Sequence, residues 1–217
     1  MKDFAAIFDM DGVIVDSNPF HKISLNQFSE KYGKTFTEEE LRQNLYGRRN
    51  SEWIPYLFGE DLSAEDIEKY SVEKEALFRE IYKDDIVALP GLEDFLKLLE
   101  SNSIAKAVAT SAPRENVDFT LKMTNLEKYY PIILDSSHVS KGKPDPEVYL
   151  KTAEALRYLP EHCIVFEDSL PGVESAKRAG AKVVGLATTH SAKELADTDL
   201  VIDDFRELTL EKLYSIF

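Results

Sequence analysis

The sequence holds a single cysteine, Cys163, so no disulfide can form within the chain. It sits in the apolar run Cys163-Ile164-Val165-Phe166 and reads as a small buried hydrophobe rather than a reactive thiol. No stretch is long and apolar enough to span a bilayer. The opening Met1-Lys2-Asp3-Phe4 reaches Asp9 before any signal-like region develops, so the cytoplasm is the expected compartment. Cations are scarce: 26 Lys and Arg face 40 Asp and Glu, a formal net charge of −14. With no basic stripe, such a surface repels nucleic acid and anionic lipid, and neither is an expected partner. A small anionic substrate remains compatible if a few cations gather at one spot. His138, His162 and His190 have no metal-like spacing and are read as structural or solvated. There is no internal repeat or low-complexity segment, and nothing demands an oligomer, so a monomer is expected.

What is present is ample apolar material, 43% of 217 residues, enough for a core with a smaller insert. Short apolar runs of strand length recur at Phe4–Phe8, 105–109, 132–134, 163–166, 182–187 and 200–202. Continuous runs of this kind suit strands buried on both faces of a parallel sheet. Helical patterns separate them: Leu92, Phe95, Leu96 and Leu99 share one face, Pro146 opens another helix, and Val173–Ala179 closes at Gly180. The alternation predicts an α/β fold with a doubly wound parallel, Rossmann-like sheet. From Ser17 to Tyr82 only helical patterns appear, so residues 17–85 are expected to form an inserted α-helical cap, with 1–16 and 86–217 as the α/β catalytic core. An insert at that place in the chain is expected over the carboxyl ends of the strands, where open α/β sheets bind ligands.

Four predicted strand ends carry polar residues that are expensive to bury there: Asp9-Met10-Asp11-Gly12, Thr110-Ser111, the loop Lys141-Gly142-Lys143-Pro144-Asp145-Pro146, and Glu167-Asp168-Ser169. Singly, each has a plainer reading as a turn, a helix N-cap or a solvated loop. Together at one edge of one sheet, the carboxylates would repel unless a hard cation sat among them. Oxygen ligands without His or Cys point to Mg²⁺. Asp9 and Asp168 are the expected direct ligands, with Glu167 in the same cluster orienting the site. A carboxylate can act as a nucleophile toward phosphorus once Mg²⁺ and Lys143 neutralise the phosphate. Thr110 would donate to a non-bridging oxygen. Asp11, two residues past Asp9, would protonate the leaving oxygen and then activate water.

On these residues the chain resembles the haloacid dehalogenase superfamily, in the subgroup with a small helical cap that includes β-phosphoglucomutases and sugar-phosphate phosphatases. Asp9-Met10-Asp11-Gly12-Val13 looks like the first motif, Ala109-Thr110-Ser111 the second, Lys143-Pro144 the third, and Glu167-Asp168-Ser169 with Pro171-Gly172 the fourth. The resemblance implies Asp9 as nucleophile, Asp11 as acid and base that also lends its carbonyl to Mg²⁺, Thr110 and Lys143 on the phosphoryl group, and Asp168 on the metal. Ser111 is grouped with the substrate-binding residues. Asp16-Ser17 followed by His21 resembles the hinge and first cap helix, and Tyr46-Gly47-Arg48-Arg49-Asn50-Ser51 occupies the place of the substrate-specificity loop. His21, Gly47, Arg48, Arg49 and Asn50 are therefore expected at the substrate, whereas Trp53 is read as packing. The sugar-phosphate mutases of this subgroup carry a lysine before that glycine and an arginine at the position of Asn50; Tyr46 and Asn50 depart from both.

The function expected is a Mg²⁺-dependent phosphatase acting on a small phosphorylated metabolite, a sugar phosphate or similar ester, through an aspartyl phosphate on Asp9. A β-phosphoglucomutase-type mutase and an inorganic pyrophosphatase stand as alternatives. A signalling receiver domain is disfavoured because its phosphorylated Asp follows a central strand and no helical insert follows the first.

Overall fold

The computed structural model describes residues 4–37, 39–41, 49–59 and 61–217. In chain order the regular elements are β1 (Ala5–Phe8), α1 (Asn18–Lys31), α2 (Asn50–Phe58), α3 (Ala64–Tyr82), α4 (Leu92–Ser101), β2 (Ala105–Ala109), α5 (Arg114–Thr124), β3 (Ile132–Leu134), α6 (Glu147–Leu156), β4 (Cys163–Glu167), α7 (Leu170–Ala179), β5 (Lys182–Leu186), β6 (Leu200–Ile202) and α8 (Leu210–Ser215). They fall into two compact units, Met1–Asp16 with Ile86–Phe217, and Ser17–Asp85.

The first unit is a six-stranded sheet in the order β3-β2-β1-β4-β5-β6 with every pairing parallel. The chain runs outward from β1 through β2 to β3, then returns past β1 to β4 and continues outward. The connection reverses beside β1, the place where such sheets build ligand sites. Apart from Lys106, Glu167 and Lys182 the strands carry no charged residue, and the four central ones are buried along almost their whole length because both faces are covered. On one face Ala5, Ile7, Ala107, Cys163, Val165 and Val183 pack under Val148, Tyr149 and Ala153 of α6 and Val173 and Ala176 of α7. On the other, Phe8 stacks on Phe166 at 4.6 Å, and Phe95 of α4 and Phe205 close over the pair. Burying one such ring contributes about 1.5–3 kcal/mol.

Two boundaries differ from the apolar pattern for identifiable reasons. β4 runs one residue further, because Glu167 still pairs with Gly185. α7 begins at Leu170 rather than Val173: Ser169 caps it by accepting from the Gly172 amide at 3.1 Å, and Pro171 falls in the first turn, where an amide would have no partner in the helix.

The second unit is helical among its described residues. Ser63 caps α3 by accepting from the Asp66 amide at 3.1 Å, with Glu65 and Asp66 in the first turn and Arg79 in the last, all favourable to the helix dipole. Leu25, Phe28, Trp53, Ile54 and Leu57 form its core, so Trp53 is a packing residue as its sequence suggests. Beside this core lies a buried polar network. Lys74 bonds to Glu75 at 2.9 Å and to His21 Nδ1 at 3.1 Å. An ammonium only donates, so Nδ1 accepts. The His21 ring is stacked on Phe78 at 3.7 Å. Asn50 donates to Glu75 at 2.9 Å and accepts from the Trp53 indole at 3.0 Å.

Burial pushes the Glu75 carboxyl up, but the Lys74 charge, His21 and the Asn50 hydrogen bond outweigh it and hold the group at about 2, below the ordinary 4.5. A carboxyl depressed on folding contributes its stability in full above its unfolded pKa and loses it as pH falls toward the folded one. Glu75→Gln is therefore expected to lower urea stability by about 3 kcal/mol at pH 6. The gap between wild type and variant should close between pH 4.5 and about 2. Parallel melts at pH 6 and pH 3 check this, and a gap of constant size would contradict it.

Candidate active site

The register brings the chemistry to one edge. Phe8 pairs with Val108 and Phe166, so Asp9, Thr110 and Glu167-Asp168 leave the sheet side by side. The Asp9 amide bonds to the Phe166 carbonyl and the Thr110 amide to the Leu134 carbonyl, which ties each residue to its neighbouring strand. After Asp9 the chain turns at once: the Ile14 amide returns to the Met10 carbonyl at 2.8 Å, and Gly12 adopts φ +73°, a left-handed conformation that glycine accepts without strain. Asp11 begins this turn, half-buried, and its charge reaches Asp9.

Lys143 enters from the loop before α6. Its ammonium is 2.5 Å from Glu167 Oε1 and 3.0 Å from Asp9 Oδ1, and sits over the Tyr149 ring at 5.0 Å. Glu167 is wholly buried. Its Oε1 accepts from Lys143 and from the Tyr149 hydroxyl at 2.8 Å. Its Oε2 accepts from the Asp168 amide, the Ser169 amide and the Ser169 hydroxyl, each at 3.0 Å. A carboxylate offers about four lone-pair positions, so this one is saturated. Gly172 packs directly against it: a β-carbon there would lie 1.8 Å from Oε1.

Asp9, Glu167 and Asp168 present oxygens within 4.8 Å of one another. Although Glu167 belongs to this group by distance, its hydrogen bonds leave it no free direction, and Asp9 and Asp168 are the better cation donors. Asp9 Oδ1 is buried and receives no directed hydrogen bond, its contact with Lys143 being an ion pair. Burial pushes Asp9 up to about 7; the Lys143 charge opposes this, while Glu167 and Asp11 add to it. Asp168 is pushed well above its ordinary value by burial and by the charges of Glu167 and Asp9, against a hydrogen bond from Thr189 and the charge of Lys143. Glu167 goes the other way: burial raises it, but Lys143, the Ser169 amide and Tyr149 hold it low. Lys143 is weakened as an acid despite burial, because Asp9 and Glu167 favour its charged form. The cluster thus has one ammonium for three carboxylates, and a buried Asp9 oxygen whose charge is met by Lys143 alone. Oxygen donors with surplus negative charge fit a hard dication such as Mg²⁺.

Thr110 is buried and its Oγ1 accepts from the Ala112 amide at 3.1 Å, a use of the acceptor that keeps its proton for donation. It does not cap α5, whose preceding residue is Pro113. Ser111 beside it is half-buried. In the second unit Arg49 directly precedes α2, and His21 and Asn50 belong to the Lys74–Glu75 network. Gly47 and Arg48 lie outside the described residues.

Several participants carry no signal that sequence reasoning recognised. Tyr149 registers only as an apolar helix position. Thr188 and Thr189 follow β5 and look like an ordinary turn, yet Thr188 donates to the Gly12 carbonyl and Thr189 to the Asp168 carboxylate; His190, read from sequence as structural or solvated, meets the Asp168 carbonyl.

Residues 6–186 match the family described as haloacid dehalogenase-like hydrolase. A phosphorylated carbohydrates phosphatase of Thermotoga maritima is 39% identical over 195 residues, covering 88% of this chain and 87% of that protein. A β-phosphoglucomutase of Bacillus subtilis is 27% identical over an alignment of 219 residues, covering 97% and 93%. Among solved structures, a HAD hydrolase of family IA, variant 3, from Entamoeba histolytica superposes with a TM-score of 0.90 at 32% identity over 98% of each chain. The matched stretch contains every motif residue from Asp9 to Asp168, and the chain belongs to the haloacid dehalogenase-like hydrolase family.

Proposed function

We propose that this protein is a Mg²⁺-dependent phosphatase that releases phosphate from a small phosphorylated metabolite, a sugar phosphate or similar ester, through a covalent phosphate on Asp9. The observation that carries this is the Lys143 ammonium held 3.0 Å from Asp9 and locked there by Glu167. It places a fixed positive charge beside a carboxylate that must approach an anion. Asp9 and Asp168, with the Asp11 carbonyl, would hold Mg²⁺, which when bound neutralises their charge and that of the phosphoryl group.

In the first step an Asp9 carboxylate oxygen bonds to phosphorus as the ester P–O bond breaks, and Asp11 gives its proton to the departing alcohol oxygen. In the second, Asp11 takes a proton from water, the water oxygen bonds to phosphorus, and the acyl-phosphate P–O bond breaks to restore Asp9 and free phosphate. Lys143 and the Thr110 hydroxyl offset charge on the phosphoryl oxygens in both steps. The second unit, residues 17–85, would act as the cap that selects the alcohol, with Arg49 as its candidate recognition residue.

A phosphatase that acts on phosphorylated carbohydrates is among the relatives, as is a phosphoglucomutase. Asn50 favours hydrolysis over mutation. The mutases resembled here place an arginine at this position, whereas Asn50 is uncharged and spends both ends of its amide on Glu75 and Trp53. A second phosphate would find no cation at that residue.

Phosphate release from a panel of phosphorylated metabolites tests the assignment. Sugar phosphates are expected to lead the panel, and conversion of glucose 1-phosphate to glucose 6-phosphate without release would mark a mutase. EDTA should abolish turnover of p-nitrophenyl phosphate and Mg²⁺ should restore it; turnover that survives chelation would refute the metal site. Arg49→Ala is expected to lower kcat/KM for the metabolite found by about tenfold or more, the worth of a charged hydrogen bond, while sparing p-nitrophenyl phosphate. Equal losses on both would remove Arg49 from recognition.

A further inference from the structure

The loop after β5 supplies three consecutive side chains to three separate places in the active site. Thr188 Oγ1 donates to the Gly12 carbonyl at 2.6 Å, in the turn that follows Asp9 and Asp11. Thr189 Oγ1 donates to Asp168 Oδ2. His190 Nδ1 lies 3.0 Å from the Asp168 carbonyl, and because a carbonyl only accepts, that nitrogen carries the proton. Asp168 is therefore gripped through its side chain and its backbone at once, while the same loop holds the turn on the neighbouring strand. The loop is anchored independently of Thr189. Thr188 fastens its start. Beyond His190, Ser191 is capped locally, its amide and hydroxyl both bonding to Glu194 at 2.9 and 2.6 Å.

A buried carboxylate can rotate about its last torsion, a broad and roughly two-fold well. A donor fixed to one oxygen removes that freedom and decides which oxygen is left to face Asp9. Groups that orient a metal-binding carboxylate in this way typically control affinity without touching the ion. We infer that Thr189 is a positioning residue for the cation that Asp168 would bind, with Thr188 and His190 holding the loop that presents it. This rests on the Mg²⁺ site proposed above. The four motifs stop at Asp168 and Gly172, so the contribution of this fifth segment comes from the structure alone.

The test is a Mg²⁺ titration of the purified full chain by isothermal calorimetry, for wild type, Thr189→Val and Thr189→Ser. Valine keeps the shape and deletes the donor; serine keeps the donor. Thr189→Val is expected to weaken Mg²⁺ binding by about tenfold to a hundredfold, and Thr189→Ser to restore most of it. The thermal midpoint in EDTA should fall only modestly: Asp168 is buried and loses one donor, but residue 189 is itself exposed and the loop keeps its other anchors. Wild-type affinity in Thr189→Val would overturn the inference, as would a lowered midpoint with unaltered affinity, which is the mark of a structural tether. If wild type itself bound no Mg²⁺, the metal site would fall and the role of Thr189 with it, a result distinct from the first two.

Discussion

Lys143 sets its ammonium between Glu167 and Asp9, with each of the three side chains almost fully withdrawn from water. Isolated charges cannot be buried in this way; ions are tolerated in an interior only when paired and hydrogen-bonded, and removing one partner from such a pair typically costs about 3–5 kcal/mol. Glu167 meets that condition through five donors, two of them backbone amides of its own chain. It is the immobile end of the arrangement. Lys143 is immobile because Glu167 is, and Asp9 has its counter-charge fixed in space because Lys143 is.

The same electrostatics separate the three carboxylates into two kinds. Glu167 is stabilised as an anion by the protein itself. Asp9 and Asp168 are less so: burial and the charges of neighbouring carboxylates drive both toward the protonated state, and Lys143 only partly opposes this. A site of this kind is unfinished without a further positive charge, and the shortfall is close to that of one dication. Asp9 and Asp168 are thus set apart from Glu167 by what the neighbouring residues fail to supply.

Much of this was legible before any coordinates. Strands buried on both faces leave continuous apolar runs, which is why Ala105–Ala109, Ile132–Leu134 and Leu200–Ile202 have the limits that the sequence suggests. Asp9 and Asp168 stood out because charged residues at the ends of such runs are costly unless employed, and Lys143 through the loop it shares with Pro144 and Pro146. Strand order was not legible, since each parallel strand has the same apolar signature. Nor was the distinction between Glu167 and its neighbour Asp168, which depends on Tyr149 and on the amides of residues 168 and 169. Thr188 and Thr189 escaped notice because short polar residues after a strand ordinarily mean a turn, whereas His190 reads from sequence only as structural or solvated. In the helical unit, Lys74 and Glu75 look like solvated helix charges, and only packing against His21 and Asn50 reveals them as buried.

Gly172 lies within the first turn of α7, where glycine is about 1 kcal/mol worse than alanine for helix stability. Yet a methyl group there would occupy the space of the Glu167 carboxylate. The smallest of all possible enlargements would force the anchoring glutamate aside and loosen the lysine it steadies. A position with no side chain thereby carries a steric constraint that reaches Lys143 through Glu167, and the effect of a change at residue 172 would be a steric event transmitted through two intermediaries.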